Sequence, residues 1–142
     1  MFKILSFASL LAILSVSGLR GQEQDSTDKA IQAATVIIDN TILKIDTVTL
    51  RIMYATTGQE AALLVGEFLS VALSIKDEVS NLEKRFPAHS LDQVRLKKAL
   101  KVVMDKTKAA GQRFGAALMS LPEEIRNSTE VAEALKKLQG AM

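Results

Sequence analysis

Residues 28–54 read DKAIQAATVIIDNTILKIDTVTLRIMY, and whether that run is strand or helix decides the fold. β-Branched residues dominate it, and Val48, Leu50 and Ile52 alternate with Thr47, Thr49 and Arg51 as a half-buried strand would. Against this, Ile31, Thr35, Ile38, Ile42, Ile45, Thr49 and Ile52 recur at steps of three and four. Seven positions fit the helical period and about four fit the strand. The segment is therefore read as a helix from about Asp28 to Tyr54, with Asp25 and Ser26 as cap candidates. A second apolar stripe, Val36, Leu43 and Leu50, is placed a quarter to a third of a turn from the first. A helix apolar on two sides is either central to a bundle or turns one side to a ligand or surface.

Outward from this segment the pattern stays helical. After the break at Thr56-Thr57-Gly58, the stripe Ala61, Leu64, Val65, Phe68, Ala72, Ile75, Val79 and Leu82 predicts a helix over 59–85. Ser70, Ser74, Asp77 and Asn81 face the other way, and Pro87 stops the helix because it lacks an amide proton. Ser90 is the expected cap of a third helix reaching about Leu121, with Leu96, Leu100, Val103, Thr107, Ala110, Phe114 and Leu118 on one face. Pro122 ends it, and Val131, Leu135 and Leu138 mark a short fourth helix ending at Gly140. No linker or repeat separates these pieces. The expectation is an all-α, single-domain bundle of about four helices over residues 22–142.

The bundle follows an export signal. Lys3 precedes an uncharged apolar run from Ile4 to Val16, and small residues follow at Ser15, Ser17 and Gly18. The run is shorter than the roughly 20 apolar residues that cross a bilayer, so it reads as a signal peptide over 1–18, cleaved between 17 and 21, with no transmembrane span. The chain has no cysteine. Small exported domains usually supplement a thin core with disulfides, so this one must rely on helix packing or on a bound apolar partner. A secreted, extracellular protein is expected.

Charge is unevenly distributed. Residues 22–83 hold ten acids and four bases, whereas residues 84–122 hold nine bases and two acids. Halves of opposite sign suit intramolecular packing or head-to-tail association, including a homo-oligomer. Residues 22–142 are neutral, and the full chain has no Trp, one Tyr and five Phe, two of them in the signal, which argues against a nucleic-acid partner.

Catalytic and metal chemistry find little support. One histidine, His89, stands beside Ser90 with no nucleophile elbow or glycine-rich oxyanion loop, and no ligand cluster has metal-site spacing. No catalytic residue, metal or cofactor is expected. Three features carry two readings each. Gly111-Gln112-Arg113-Phe114-Gly115 has small-xxx-small spacing, which suits tight helix packing or a ligand channel. Asn127-Ser128-Thr129 is a glycosylation acceptor, or Asn127 caps the fourth helix. Lys97, Lys101 and Lys108 are a solvated face or a headgroup contact.

Residues 82–122 carry a family likeness. Lys84-Arg85-Phe86, then Leu96-Lys97-Lys98-Ala99-Leu100-Lys101, then Phe114-Gly115-Ala116-Ala117-Leu118-Met119-Ser120-Leu121-Pro122 resemble the fungal hydrophobic surface-binding protein A family, which shares its helical domain with cell-wall galactomannoproteins. The resemblance implies an exported, cysteine-free helical domain, sometimes wall-associated. It also implies adsorption to hydrophobic surfaces and, in some members, long-chain fatty acids held between helices. The β-branched first segment departs from that pattern.

The leading expectation is thus a secreted, non-enzymatic binder of apolar ligands or surfaces. A fatty-acid guest is placed between the first three helices against Phe68, Ile75, Ala110, Phe114 and Leu118, with Lys97, Lys101 and Lys108 near the mouth. The alternative is a secreted protein–protein module that self-associates or binds a partner through helix faces.

Overall fold

The computed structural model describes residues 23–141, with side chains from Ser26 onward. The expected export signal lies outside them. The described chain is helical throughout, with no strand: α1 (Glu23–Ile52), α2 (Gly58–Arg85), a 3₁₀ turn (Ala88–Ser90), α3 (Gln93–Met119), α4 (Glu123–Arg126) and α5 (Thr129–Ala141). The all-α expectation holds, and the doubtful segment is helix.

Four of the threonines of α1 do not break it because their hydroxyls are satisfied within the helix. Thr35, Thr41, Thr47 and Thr49 donate to the carbonyls of Ile31, Ile37, Leu43 and Ile45, four residues back, at 2.7–2.8 Å. Thr41 and Thr49 can therefore be buried without an orphaned donor. Helix α1 starts ahead of the anticipated caps, so Asp25 and Ser26 lie inside it. It ends at Ile52, where Tyr54 and Ala55 close tight turns back to Arg51 and Ile52.

Helix α1 is the central helix. Its buried face, Ile38, Ile45, Val48 and Ile52, packs against both α2 and α3. Helix α3 runs parallel to it at a constant offset. The Asp92 amide donates to Thr27 Oγ1 at 2.8 Å, Arg95 pairs with Asp28, and Arg113 grips Asp46 through two nitrogens at 2.8–3.0 Å. The last two pairs share one separation, 67 residues, which also places Lys106 in register with Asp39. The acidic and basic halves of the chain thus meet within one molecule.

The second stripe lies elsewhere than expected. Val36, Leu43 and Leu50 each precede a core isoleucine by two residues, about 200° around the helix, so they oppose the buried face instead of adjoining it. All three are exposed, at 54%, 67% and 62%.

Helix α2 ends as the proline requires: the Phe86 amide bonds to Leu82, and Pro87 begins the turn. Ser90 is not the cap of α3. It belongs to the 3₁₀ turn, where its hydroxyl donates to Pro87 O at 2.7 Å, and Asp92 caps instead by accepting from the Arg95 amide. The turn consumes two residues that the sequence reading had assigned to the helix. At the start of α2, Thr57 Oγ1 accepts from the Glu60 amide, and the Glu60 carboxylate accepts from the amide and hydroxyl of Thr56. Those two bonds from Thr56 hold the Glu60 carboxyl below its usual pKa.

Two apolar clusters fill the bundle. The larger joins the ends of α1 and α3, the first half of α2, and Val131 and Leu138 of α5. The smaller gathers Ala30, Ala34, Leu91, Leu96 and Leu100 at the opposite end, with Leu82 and Phe86 against them.

Gly58 is where the α4–α5 turn meets α2. A Cβ there would lie 2.3 Å from Ser128 Oγ and 2.6 Å from Ser128 Cβ, so any side chain forces the turn away. Gly58→Ala is expected to cost about 1–3 kcal/mol by overpacking, and adding Ser128→Gly should recover much of it. Urea unfolding of the two single variants and the double variant measures this. Additive losses would contradict the contact.

Candidate functional site

All five residues expected to line a guest channel are buried as core, and four of them are brought into one cluster. Phe68 of α2 and Phe114 of α3 stack ring on ring, with centroids 4.1 Å apart and planes 9° from parallel. That stack occupies the space where an alkyl chain was placed. Ala110 is wholly enclosed, and Leu118 is buried beside it in the same cluster. Ile75 is also buried, but further along α2 and outside that cluster.

The glycines of the small-residue run do not explain themselves by packing. A Cβ added at Gly111 or Gly115 meets nothing within 4 Å, so no neighbouring helix approaches closely at either position. Helix α3 runs unbroken through them. Lys97, Lys101 and Lys108 are all exposed on α3, and none lines either of the two spaces described next. Asn127 is exposed at the end of α4, where its amide group bonds to Glu123 Oε1 at 3.4 Å. It does not cap α5. Ser128 precedes that helix, its carbonyl accepting from Ala132 and its hydroxyl from Val131.

Two spaces accompany the core. A small apolar void of about 60 Å³ lies at the Phe86 end, lined by Ala30, Ala34, Ile38, Leu82, Leu96 and Leu100 among others. The alanines leave it, because no larger side chain fills the angle between α1 and the turn. It is far below the roughly 300 Å³ at which ligand sites begin.

The larger space is an open groove of about 910 Å³ on the outside of the molecule. Its floor is the outward face of α2, with Ala62, Leu63, Gly66, Leu69 and Ser70. One wall is α1, through Lys44, Thr47, Val48 and Arg51, and the other is α5, through Glu130, Glu133, Ala134 and Lys137. Arg51 and Glu67 form an ion pair across its α1 edge. Gly66 gives the floor its depth, since no atom lies within 4 Å of where its Cβ would be. The apolar content of α2 reaches this face as well as the core. By length and composition α2 could cross a membrane, with a mean hydropathy of 1.3 over its most apolar 18 residues, yet a third of that stretch is buried inside the bundle.

Sequence periodicity missed the groove because its floor is read as the polar side of α2. Leu63, 65% exposed and off the core stripe, was the available signal. Among the described residues no three of His, Cys, Asp and Glu gather as metal ligands would, and His89 is exposed on the 3₁₀ turn. No family model matches the chain, and no curated protein or solved structure does either.

Adjacent residues on α3 should respond in opposite directions. Ala110→Leu forces three added carbons into an enclosed site and is expected to cost about 1–3 kcal/mol. Gly111→Ala places a methyl in open space within a helix and should stabilise by roughly 0.5–1 kcal/mol. Thermal and urea unfolding of both variants measure this. A neutral Ala110→Leu would mean that the space beside the Phe68–Phe114 stack is empty.

Proposed function

We propose that the protein is a non-enzymatic binder of long-chain amphiphiles, exported from the cell, that takes the alkyl chain lengthwise along the outward face of α2. The groove is the observation that carries this reading. Its volume falls within the range of ligand sites, and its floor of Ala62, Leu63, Gly66 and Leu69 offers an alkyl chain continuous apolar contact. From Gln59 to Val71 the floor extends about 18 Å at the helical rise, long enough for an extended chain.

The rim leaves headgroup charge undecided. Lys44, Arg51 and Lys137 are matched by Glu67, Glu130 and Glu133, so affinity comes from the chain at about 0.8 kcal/mol per buried methylene. Carboxylate and neutral headgroups are both acceptable on that balance. The guest thus moves from the interior, where Phe68 meets Phe114, to the surface. The likeness of residues 82–122 to surface-binding proteins points toward the same apolar chemistry. No family model supports that likeness, so the reading rests on the groove.

Titration with a fluorescent long-chain fatty acid and with a neutral alkyl amphiphile tests it. Both should bind with similar affinity, and Gly66→Leu should weaken both by about tenfold, the equivalent of roughly 1.4 kcal/mol. Because the Gly66 position is open, the variant should fold with unchanged or slightly raised stability. Absence of binding, or binding that ignores Gly66→Leu, would overturn the proposal.

A further inference from the structure

The exposed stripe of α1 has a pattern that a solvated helix face does not need. Val36, Leu43 and Leu50 recur every seven residues, and four residues after each come Asn40, Thr47 and Tyr54. The series 36, 40, 43, 47, 50, 54 advances by alternating steps of four and three, the spacing of a coiled-coil seam. Every one of these side chains is exposed, and Tyr54, just past the helix end, is 79% so. Helices α2 and α3 both pack on the opposite face of α1, so neither obstructs the seam.

Charge on the two borders of the seam selects its occupant. Asp39 and Asp46 run along one border, Lys44 and Arg51 along the other, and each acid precedes a base by five residues. In a parallel pair of identical helices, a border residue faces the residue five places on in the partner's opposite border. Asp39 would then meet Lys44 of a second copy, and Asp46 would meet Arg51. An antiparallel pair would set acids against acids and bases against bases. Asn40 sits on the seam itself, where a single asparagine favours two strands in one register. Asp46 and Arg51 already bond within the chain, to Arg113 and Glu67, and would share those partners. Asp39 and Lys44 make no ion pair among the described residues.

We infer that the chain forms a parallel homodimer through the outward face of α1, with Val36, Leu43 and Leu50 meeting their own copies. Helix α1 is held in shape by its own bundle, so dimerisation does not have to order it. The seam is only about two and a half heptads long, which makes the association reversible and concentration-dependent. The groove has its floor on α2, and its α1 wall shares Lys44, Thr47 and Arg51 with the seam, whereas Val36, Leu43 and Leu50 lie outside it.

Sedimentation equilibrium of the full chain across a concentration series tests it. A monomer–dimer equilibrium is expected, and Leu43→Lys should weaken it by roughly tenfold or more while circular dichroism stays helical. Asp39→Lys alone and Lys44→Asp alone should each weaken it, and the double swap should restore it. Because the chain has no cysteine, Val36→Cys reports orientation directly. In a parallel dimer Val36→Cys links to itself on mild oxidation. In an antiparallel one it would link instead to a Leu50→Cys variant mixed with it. Gly66→Leu should leave dimerisation unchanged, so failure of the groove and failure of the dimer are read separately. A monomer mass at every concentration up to about 1 mM, a dimer indifferent to Leu43→Lys, or linkage of position 36 to position 50 would each overturn the inference.

Discussion

Helix α1 has one buried face and two neighbours, and the rest of the bundle follows from how it serves both. Ile38, Ile45, Val48 and Ile52 are shared between α2, which returns antiparallel after a short turn, and α3, which returns parallel after a second one. Burial of those side chains supplies the energy, at about 1.5–3 kcal/mol for each large one fully removed from water. The ion pairs that accompany it supply little, since Asp28, Arg95, Asp46 and Arg113 are all substantially exposed and such pairs are worth about 0.2–1 kcal/mol. Their contribution is direction. A row of acids on α1 and a row of bases on α3 with the same spacing match only when the helices run parallel and in one register.

That arrangement leaves α2 and α3 touching chiefly through long side chains. The Phe68–Phe114 stack spans the distance where no third backbone intrudes, and with it the interior at that end is closed. The consequence is an inside-out distribution of opportunity. Apolar surface left over from the core appears outside, as the α2 groove and the α1 stripe, and both are bordered by the same α1 residues, Lys44 and Arg51.

The helical pattern was legible because it is redundant. Seven apolar or threonine positions at helical spacing outweighed four at strand spacing, and the threonine hydroxyls proved able to serve the helix by bonding four residues back. Pro87 and Pro122 marked their boundaries for a simple reason, the missing amide proton. Ser90 misled because a serine caps equally well on paper whether or not a 3₁₀ turn has already engaged it. Ala110, Phe114, Phe68 and Leu118 carry the same pattern in a filled core as around a channel, and the structure buries all four in one core cluster. Only the ring separation distinguishes the two. Gly111 and Gly115 invited a packing role that their surroundings do not bear out. The groove depends on where α5 settles against α2, a tertiary fact with no local signature beyond the stray exposure of Leu63.

The central claim is the parallel register of α1 and α3, and spin-label distances test it most directly. Labels attached through cysteines at positions 28 and 95 should lie close together, as should labels at 46 and 113, because those side chains pair. Labels at 28 and 113 should stand about 27 Å apart along the helix axis, the rise of 18 residues. A short distance between 28 and 113, with 28 and 95 far apart, would mean that α3 runs antiparallel to α1 and would contradict the account.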